Sequence, residues 1–223
     1  MNVKKHIPNS ITCCNLFVGI LAVLSAYNGS FYHVLAFVLL AAVFDFLDGM
    51  MARLLNAYSA IGKELDSLAD MISFGLLPGM IAFKLLQETP LPGWVAYFGF
   101  LLTIFSALRL AKFNIDDRQT SSFLGLATPA NAIFWSGIAI QFSGAQDWNT
   151  YFLLPLVLLF SYLLICEIPM FSLKFKSLKW SENKIRYIFL IGSVVFLIML
   201  QFSALSIVIL WYLFLSLVEK IRK

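Results

Sequence analysis

The sequence predicts an all-α integral membrane protein with about eight transmembrane helices, and three observations lead there. Of its 223 residues, 61% are hydrophobic and 22 are Phe. With a mean hydropathy of +0.86, too little polar surface is left to cover a water-soluble globule. Asp, Glu, Lys and Arg are absent from residues 7–44, 89–108, 148–166 and 187–218, each stretch at least about as long as one bilayer crossing. The third observation is that the basic residues fall almost wholly on one side of the resulting topology.

In chain order, spans are expected near 11–27, 31–55, 62–86, 94–112, 125–143, 150–170, 185–200 and 203–219. The first opens at an interfacial Ile7-Pro8-Asn9-Ser10-Ile11-Thr12 and turns into the membrane at Pro8. Lys4 and Lys5 before an apolar run look like a secretory leader. No small-x-small cleavage pattern follows Leu24, so this is read as an uncleaved helix. The second span descends to a short turn over 56–61, and the third returns from it. Residues 187–218 as one helix would run about 48 Å against roughly 30 Å of hydrocarbon, so a hairpin broken at 201–203 is expected. No Ser/Gly/Pro-rich linker or sequence repeat divides the chain, which is read as a single membrane domain over 1–223. Cys13, Cys14 and Cys166 lie in apolar segments without metal-ligand spacing and read as small membrane-core residues.

With the N-terminus inside, all of the sixteen Lys and Arg residues except Lys84 face the cytoplasm. The net charge of +4 is explained by this topology and by anionic lipid. No nucleic-acid recognition module is found.

The chemistry lies in Asp45-x2-Asp48-Gly49-x2-Ala52-Arg53-x8-Gly62-x3-Asp66-x3-Asp70. Carboxylates within membrane-spanning sequence are costly and are functional candidates by default. The i/i+3 and i/i+4 spacings put Asp45 with Asp48, and Asp66 with Asp70, on one face of each helix. The intervening turn lets the two faces meet at the cytoplasmic helix ends, within reach of a water-soluble ligand. Small residues Gly49, Ala52 and Gly62 let backbones approach each other or a ligand. Four carboxylates without a counter-ion repel one another, and one or two divalent cations would neutralise them. An all-oxygen set favours Mg²⁺, Mn²⁺ or Ca²⁺ over zinc. A dinuclear carboxylate site suits phosphoryl transfer, with Arg53 as a fork for phosphate oxygens. The other reading, a proton or cation pathway in an ion or solute carrier, conflicts with clustering at one membrane face.

At these residues the sequence resembles a known family. The run DFLDGMMARLLNAYSAIGKELDSLAD matches the signature of the CDP-alcohol phosphatidyltransferases, including both glycines, the Ala-Arg pair and all four aspartates. The resemblance implies a homodimeric membrane enzyme with a six-helix core over 1–170, followed by a basic loop and a C-terminal helix pair over 171–223. It implies two divalent metals, held by Asp45, Asp48, Asp66 and Asp70, with Asp70 also the base toward the acceptor hydroxyl. The CDP-lipid would lie against Asn9, Thr12 and Asn15 of the first helix and against Asp48, Gly49, Ala52, Arg53 and Gly62. The flanks PNSITCCNLFVG, KELDSLADMISFGLLPG, ALRLAKFN and FLGLATPANA are similar to the membrane-embedded phosphatidylserine synthases within that family, over about residues 7–135. This implies CDP-diacylglycerol and L-serine as substrates, CMP as a product and a prokaryotic cytoplasmic membrane as the setting. Other acceptors, such as glycerol 3-phosphate or an inositol phosphate, are the alternative.

For a serine carboxylate, Arg109 with Lys112 one turn on is the available inside-facing pair; the other reading of both is a positive-inside anchor. Ser73, three residues after Asp70, reads either as a site hydroxyl or as an ordinary backbone-bonded serine. His6 and His33 have no ligand spacing, and Glu167 before Pro169 reads as an interfacial charge.

Overall fold

The computed structural model describes residues 6–116, 123–142, 149–173, 177 and 179–222. Lys4, Lys5, Arg118, Lys174, Lys176 and Lys223, which the topology argument uses, lie outside the described residues. The fold is all-α. Its elements are α1 (His6–Tyr27), α2 (Phe31–Leu54), α3 (Ala60–Asp70), a π-helical turn (Met71–Leu76), α4 (Leu77–Gln87), a 3₁₀ segment (Gly93–Phe100), α5 (Leu101–Ile115), α6 (Thr128–Phe142), α7 (Asn149–Ile165), α8 (Trp180–Leu200) and α9 (Ala204–Arg222). Two short strands, β1 (Phe123–Leu124) and β2 (Pro169–Met170), pair antiparallel.

Among the described residues, five helical stretches are long and apolar enough to cross a membrane: His6–Tyr27, Phe31–Leu54, Ala60–Gln87, Gly93–Ile115 and Asn183–Ile221. The last holds 39 residues, more than one crossing needs. The chain breaks it at Gln201–Ser203, where Gln201 takes φ 53°. α9 then folds back on α8, and a Cβ on Gly192 would come 2.6 Å from Trp211 Nε1.

α6 and α7 are shorter than the hydropathy suggests. Gly125 takes φ 73°, a left-handed conformation, and its N–H donates to the Ile168 carbonyl, so α6 begins only at Thr128. α7 stops at Ile165 because Pro169 disfavours helix before it, and the freed segment pairs with β1 instead. The Leu126 N–H donates to the Leu163 carbonyl and completes this strap, which pins the start of α6 against the end of α7.

The π-helical turn has a local cause. Pro78 has no N–H and its ring would clash with the carbonyl four residues back, so a wider turn before it lets the helix run on from α3 into α4. The π-helical turn, α4 and α6 hold much of the buried core, with Phe74, Leu77, Ile81, Phe134, Trp135 and α7 Phe160 almost fully covered. Outward faces carry large apolar side chains such as Phe17, Phe46, Ile198 and Phe214, which suit lipid and not water.

Gly99 is where α4 and the 3₁₀ segment touch most closely: a Cβ there would lie 2.5 Å from the Phe83 backbone nitrogen. Gly99→Ala should therefore cost roughly 1 to 3 kcal/mol, read as a lower Tm of the full chain in detergent. A Cβ on Gly93 meets nothing within 4 Å, so Gly93→Ala should leave Tm where it was. Identical melting of both variants would refute the close contact.

Candidate active site

α2 ends at Leu54, and a turn through Asn56, at φ 48°, leads to Ser59. The Ser59 hydroxyl accepts the Gly62 N–H at 3.1 Å and caps α3. This turn sets α2 and α3 side by side with their aspartates facing. One carboxylate oxygen from each of Asp45, Asp48 and Asp66 lies within 4.8 Å of the other two, a spacing that one shared cation can bridge. The Asp70 carboxyl lies close beside that of Asp45, and its Oδ1 is buried with no partner among the described residues. Asp48 is 5% exposed. Its Oδ2 accepts from the Thr12 hydroxyl at 2.6 Å, a short charge-assisted bond from α1.

An open cleft of about 590 Å³ leads away from this cluster between α1, α2 and α3. Asn9, Thr12, Asp48, Gly49, Ala52, Gly62 and Asp66, all singled out in the sequence, line it. Gly62 is the tightest point, since a Cβ there would come 2.9 Å from both Asn9 Oδ1 and Ser59 Oγ. Around Gly49 there is room for a methyl group, with Arg53 Nη2 the nearest atom at 3.6 Å. Tyr58 and Lys63 also line the cleft and were not assigned to it. Lys63 Nζ donates to the Asn114 carbonyl, and Asn114 Nδ2 donates to Ser67 Oγ, so the start of α3 is tied to the end of α5.

Two residues expected on the CDP-lipid are placed otherwise. Arg53 is not among the cleft-lining residues; its Nε donates to the Gly49 carbonyl at 3.0 Å, folding the guanidinium back along α2. Asn15 is fully buried one turn beyond Thr12, with neither amide atom partnered among the described residues.

The expected acceptor residues separate. Arg109 is 8% exposed, too buried for a surface anchor. Its Nη1 reaches Thr128 Oγ1 at 3.5 Å, its guanidinium carbon sits 5.8 Å from the Phe113 ring centre, and Nε has no partner among the described residues. It is close enough to Asp70 for their charges to interact. Lys112 points elsewhere, paired with Glu167 at 3.1 Å on the exposed surface. Ser73 is buried against α1 and donates to the Asn15 carbonyl, which is the backbone-bonded reading. Thr128 and Asn131 were quoted in the sequence without a role; their i/i+3 spacing at the opening of a helix was the available signal.

A CDP-alcohol phosphatidyltransferase family model matches residues 5–218. Curated relatives described as CDP-diacylglycerol–serine O-phosphatidyltransferase include one from Mycobacterium leprae, 34% identical over 174 residues, covering 74% of this chain and 57% of the relative. One from Bacillus subtilis is 38% identical over 125 residues, covering 56% and 70%. One from Saccharomyces cerevisiae is 35% identical over 150 residues, covering 60% and 53%. The chain thus spans between about half and seven tenths of the length of these relatives.

The carboxylate cluster predicts binding of a hard cation. Mn²⁺ titrated into the full chain in detergent, followed by paramagnetic resonance, should show saturable binding. Asp66→Asn should weaken it by on the order of 10²-fold. Equal affinity in the variant would remove Asp66 from the ligand set.

Proposed function

The chain belongs to the CDP-alcohol phosphatidyltransferase family, and from that membership we propose that it transfers the phosphatidyl group of CDP-diacylglycerol to the hydroxyl of L-serine, giving phosphatidylserine and CMP. The observation that carries this reading is the junction at Asp70. On one side of it stand the carboxylate cluster and its cleft; on the other stands a buried arginine with an unmet donor. Names of the relatives point to the same acceptor.

The cleft would hold the cytidine diphosphate, with Asn9 and Thr12 as polar contacts and Gly49, Ala52 and Gly62 leaving it room. Arg53 is near enough through its free Nη atoms to turn toward phosphate oxygens. Two divalent cations, Mg²⁺ or Mn²⁺ with Ca²⁺ as a further candidate, would be held by Asp45, Asp48, Asp66 and Asp70 and supply Lewis acidity and charge compensation at the phosphates. Asp70 would take the proton from the serine hydroxyl as its oxygen forms a bond to the phosphatidyl phosphorus. The bond from that phosphorus to the CMP oxygen breaks, and CMP leaves with the electron pair. Arg109 would hold the serine carboxylate, a bidentate partner suited to a guanidinium.

A phosphorylated acceptor would need further cations close by. Lys112, one turn beyond Arg109, is paired with Glu167 on the exposed surface, which favours serine over glycerol 3-phosphate.

The same proposal includes a multi-pass protein of a prokaryotic cytoplasmic membrane with both termini and the site on the cytoplasmic side. The one-sided distribution of Lys and Arg supports it. It further includes eight spans in one membrane domain, a catalytic six-helix part over 1–170 with a C-terminal helix pair, and assembly as a homodimer.

The deciding experiment is CMP release by the purified chain with a panel of alcohols. Serine should be the preferred acceptor, and excess EDTA should abolish turnover until Mg²⁺ or Mn²⁺ is restored. Release of CMP with another alcohol and none with serine would discard the acceptor and keep the reaction; full turnover in EDTA would discard the metals. Arg109→Ala should raise KM for serine roughly 30- to 150-fold, equivalent to about 2 to 3 kcal/mol of charged hydrogen bonding, and leave KM for CDP-diacylglycerol nearly unchanged. Arg53→Ala should do the reverse. A KM for serine that does not move in Arg109→Ala would return Arg109 to a structural role.

A further inference from the structure

Beyond Asp70 the bundle interior contains a second set of polar side chains whose hydrogen-bonding capacity is unmet. On α5, Ser106 and Arg109 are one turn apart and both buried, as are Thr128 and Asn131 on α6, so each pair lies on an inward face. Arg109 Nη1 reaches Thr128 Oγ1 at 3.5 Å, and α5 and α6 both pack against the π-helical turn. α5 runs toward the site end of the bundle and α6 away from it, so Ser106 and Asn131 lie one turn deeper than the Arg109–Thr128 contact. Ser106 also faces the π-helical turn that begins directly after Asp70, since a Cβ on Gly75 would come 3.2 Å from Ser106 Cβ.

Ser106, Thr128 and Asn131 are all fully buried. Among the described residues, Ser106 Oγ, Arg109 Nε and both amide atoms of Asn131 have no partner. Burying such groups unpaired costs free energy comparable to losing the hydrogen bonds outright. An arginine alone calls for an anion. The oxygens of Asn131 and Ser106 add acceptors one turn deeper, and a ligand that meets all of them carries both an anion and a cationic donor.

We propose that Asn131, with Ser106, is the acceptor-binding element that recognises the α-ammonium group, so that the site takes a zwitterionic α-amino acid and not merely an alcohol bearing a carboxylate. Asn131 Oδ1 and Ser106 Oγ accept from the ammonium group. Arg109 and Asn131 Nδ2 donate to the carboxylate, leaving the side-chain hydroxyl to face Asp70. This assignment rests on the proposed serine transfer and adds what distinguishes serine from its singly charged analogues.

The test is steady-state CMP release by the full chain in detergent or liposomes, with 3-hydroxypropionate, which lacks the ammonium group, and ethanolamine, which lacks the carboxylate, as competing ligands. For the wild-type protein, serine should bind at least about tenfold more tightly than either analogue. Asn131→Ala should raise KM for serine on the order of tenfold or more, leave KM for CDP-diacylglycerol unchanged, and bring serine and 3-hydroxypropionate to similar apparent affinities. Ser106→Ala, which removes one hydroxyl, should shift the same ratio in the same direction by a smaller factor. If Asn131→Ala fails to fold, the Ser106→Ala ratio and the wild-type analogue series decide. A wild-type protein that uses serine yet binds 3-hydroxypropionate equally well overturns the assignment alone, as does an unchanged serine KM in a folded Asn131→Ala. A wild-type protein that does not use serine overturns the transfer reaction beneath it.

Discussion

Three carboxyl groups, each with an oxygen within 4.8 Å of the other two, repel when ionised at about 3 to 4 kcal/mol per pair if the effective dielectric is about 20. Repulsion of that size acts to push α2 and α3 apart, and the rest of the bundle holds them against it. The turn from Leu55 to Ser59 joins the two helices covalently over a short distance, and the Ser59 cap fixes where α3 starts. α1 packs along both helices and lends Thr12 to the most buried of the carboxylates. A cation bound among these oxygens would turn the same geometry from a liability into an attraction.

Scaffold and site also meet through small residues. Gly19 on α1 has no side chain where Ser73 Oγ sits, so the π-helical turn presses directly on the α1 backbone and bonds to it. Gly79 leaves the corresponding space for Thr103 on α5. In an apolar bundle without a hydrophobic drive between helices, such close approaches and buried hydrogen bonds carry the association. Here they concentrate on the helix that bears Asp66 and Asp70.

Much of this was legible in the sequence because its signals are local. Uncharged runs marked the helices, the length of 187–218 required the break found at Gln201–Ser203, and i/i+3 and i/i+4 spacings placed the aspartate faces. What could not be read depends on partners distant in the chain. The shortening of α6 and α7 comes from the pairing of Phe123–Leu124 with Pro169–Met170, which no hydropathy window registers. Lys112 was expected beside Arg109 and instead meets Glu167, 55 residues away. Arg53 folds onto its own helix, a rotamer choice that sequence spacing does not specify. Arg109 turns into the bundle beside Thr128 while Lys112, three residues on, stays at the exposed surface with Glu167.

The π-helical turn ties these features together. A straight α-helix from Ala60 to Gln87 would fix the rotational phase of Asp66 and Asp70 relative to Leu77, Ile81 and Leu85, which α4 buries in the core. A π-helical turn inserts an additional residue, and one residue in an α-helix corresponds to about 100° of rotation. The core face of α4 and the carboxylate face of α3 can therefore satisfy different neighbours: the first packs against the other helices, the second meets α2 and the cleft. Removing the wide turn while keeping the core packing would swing Asp66 and Asp70 away from Asp45 and Asp48. The constraint that placed Pro78 just after this segment is thus also what lets one continuous helix serve both the apolar interior and the charged site.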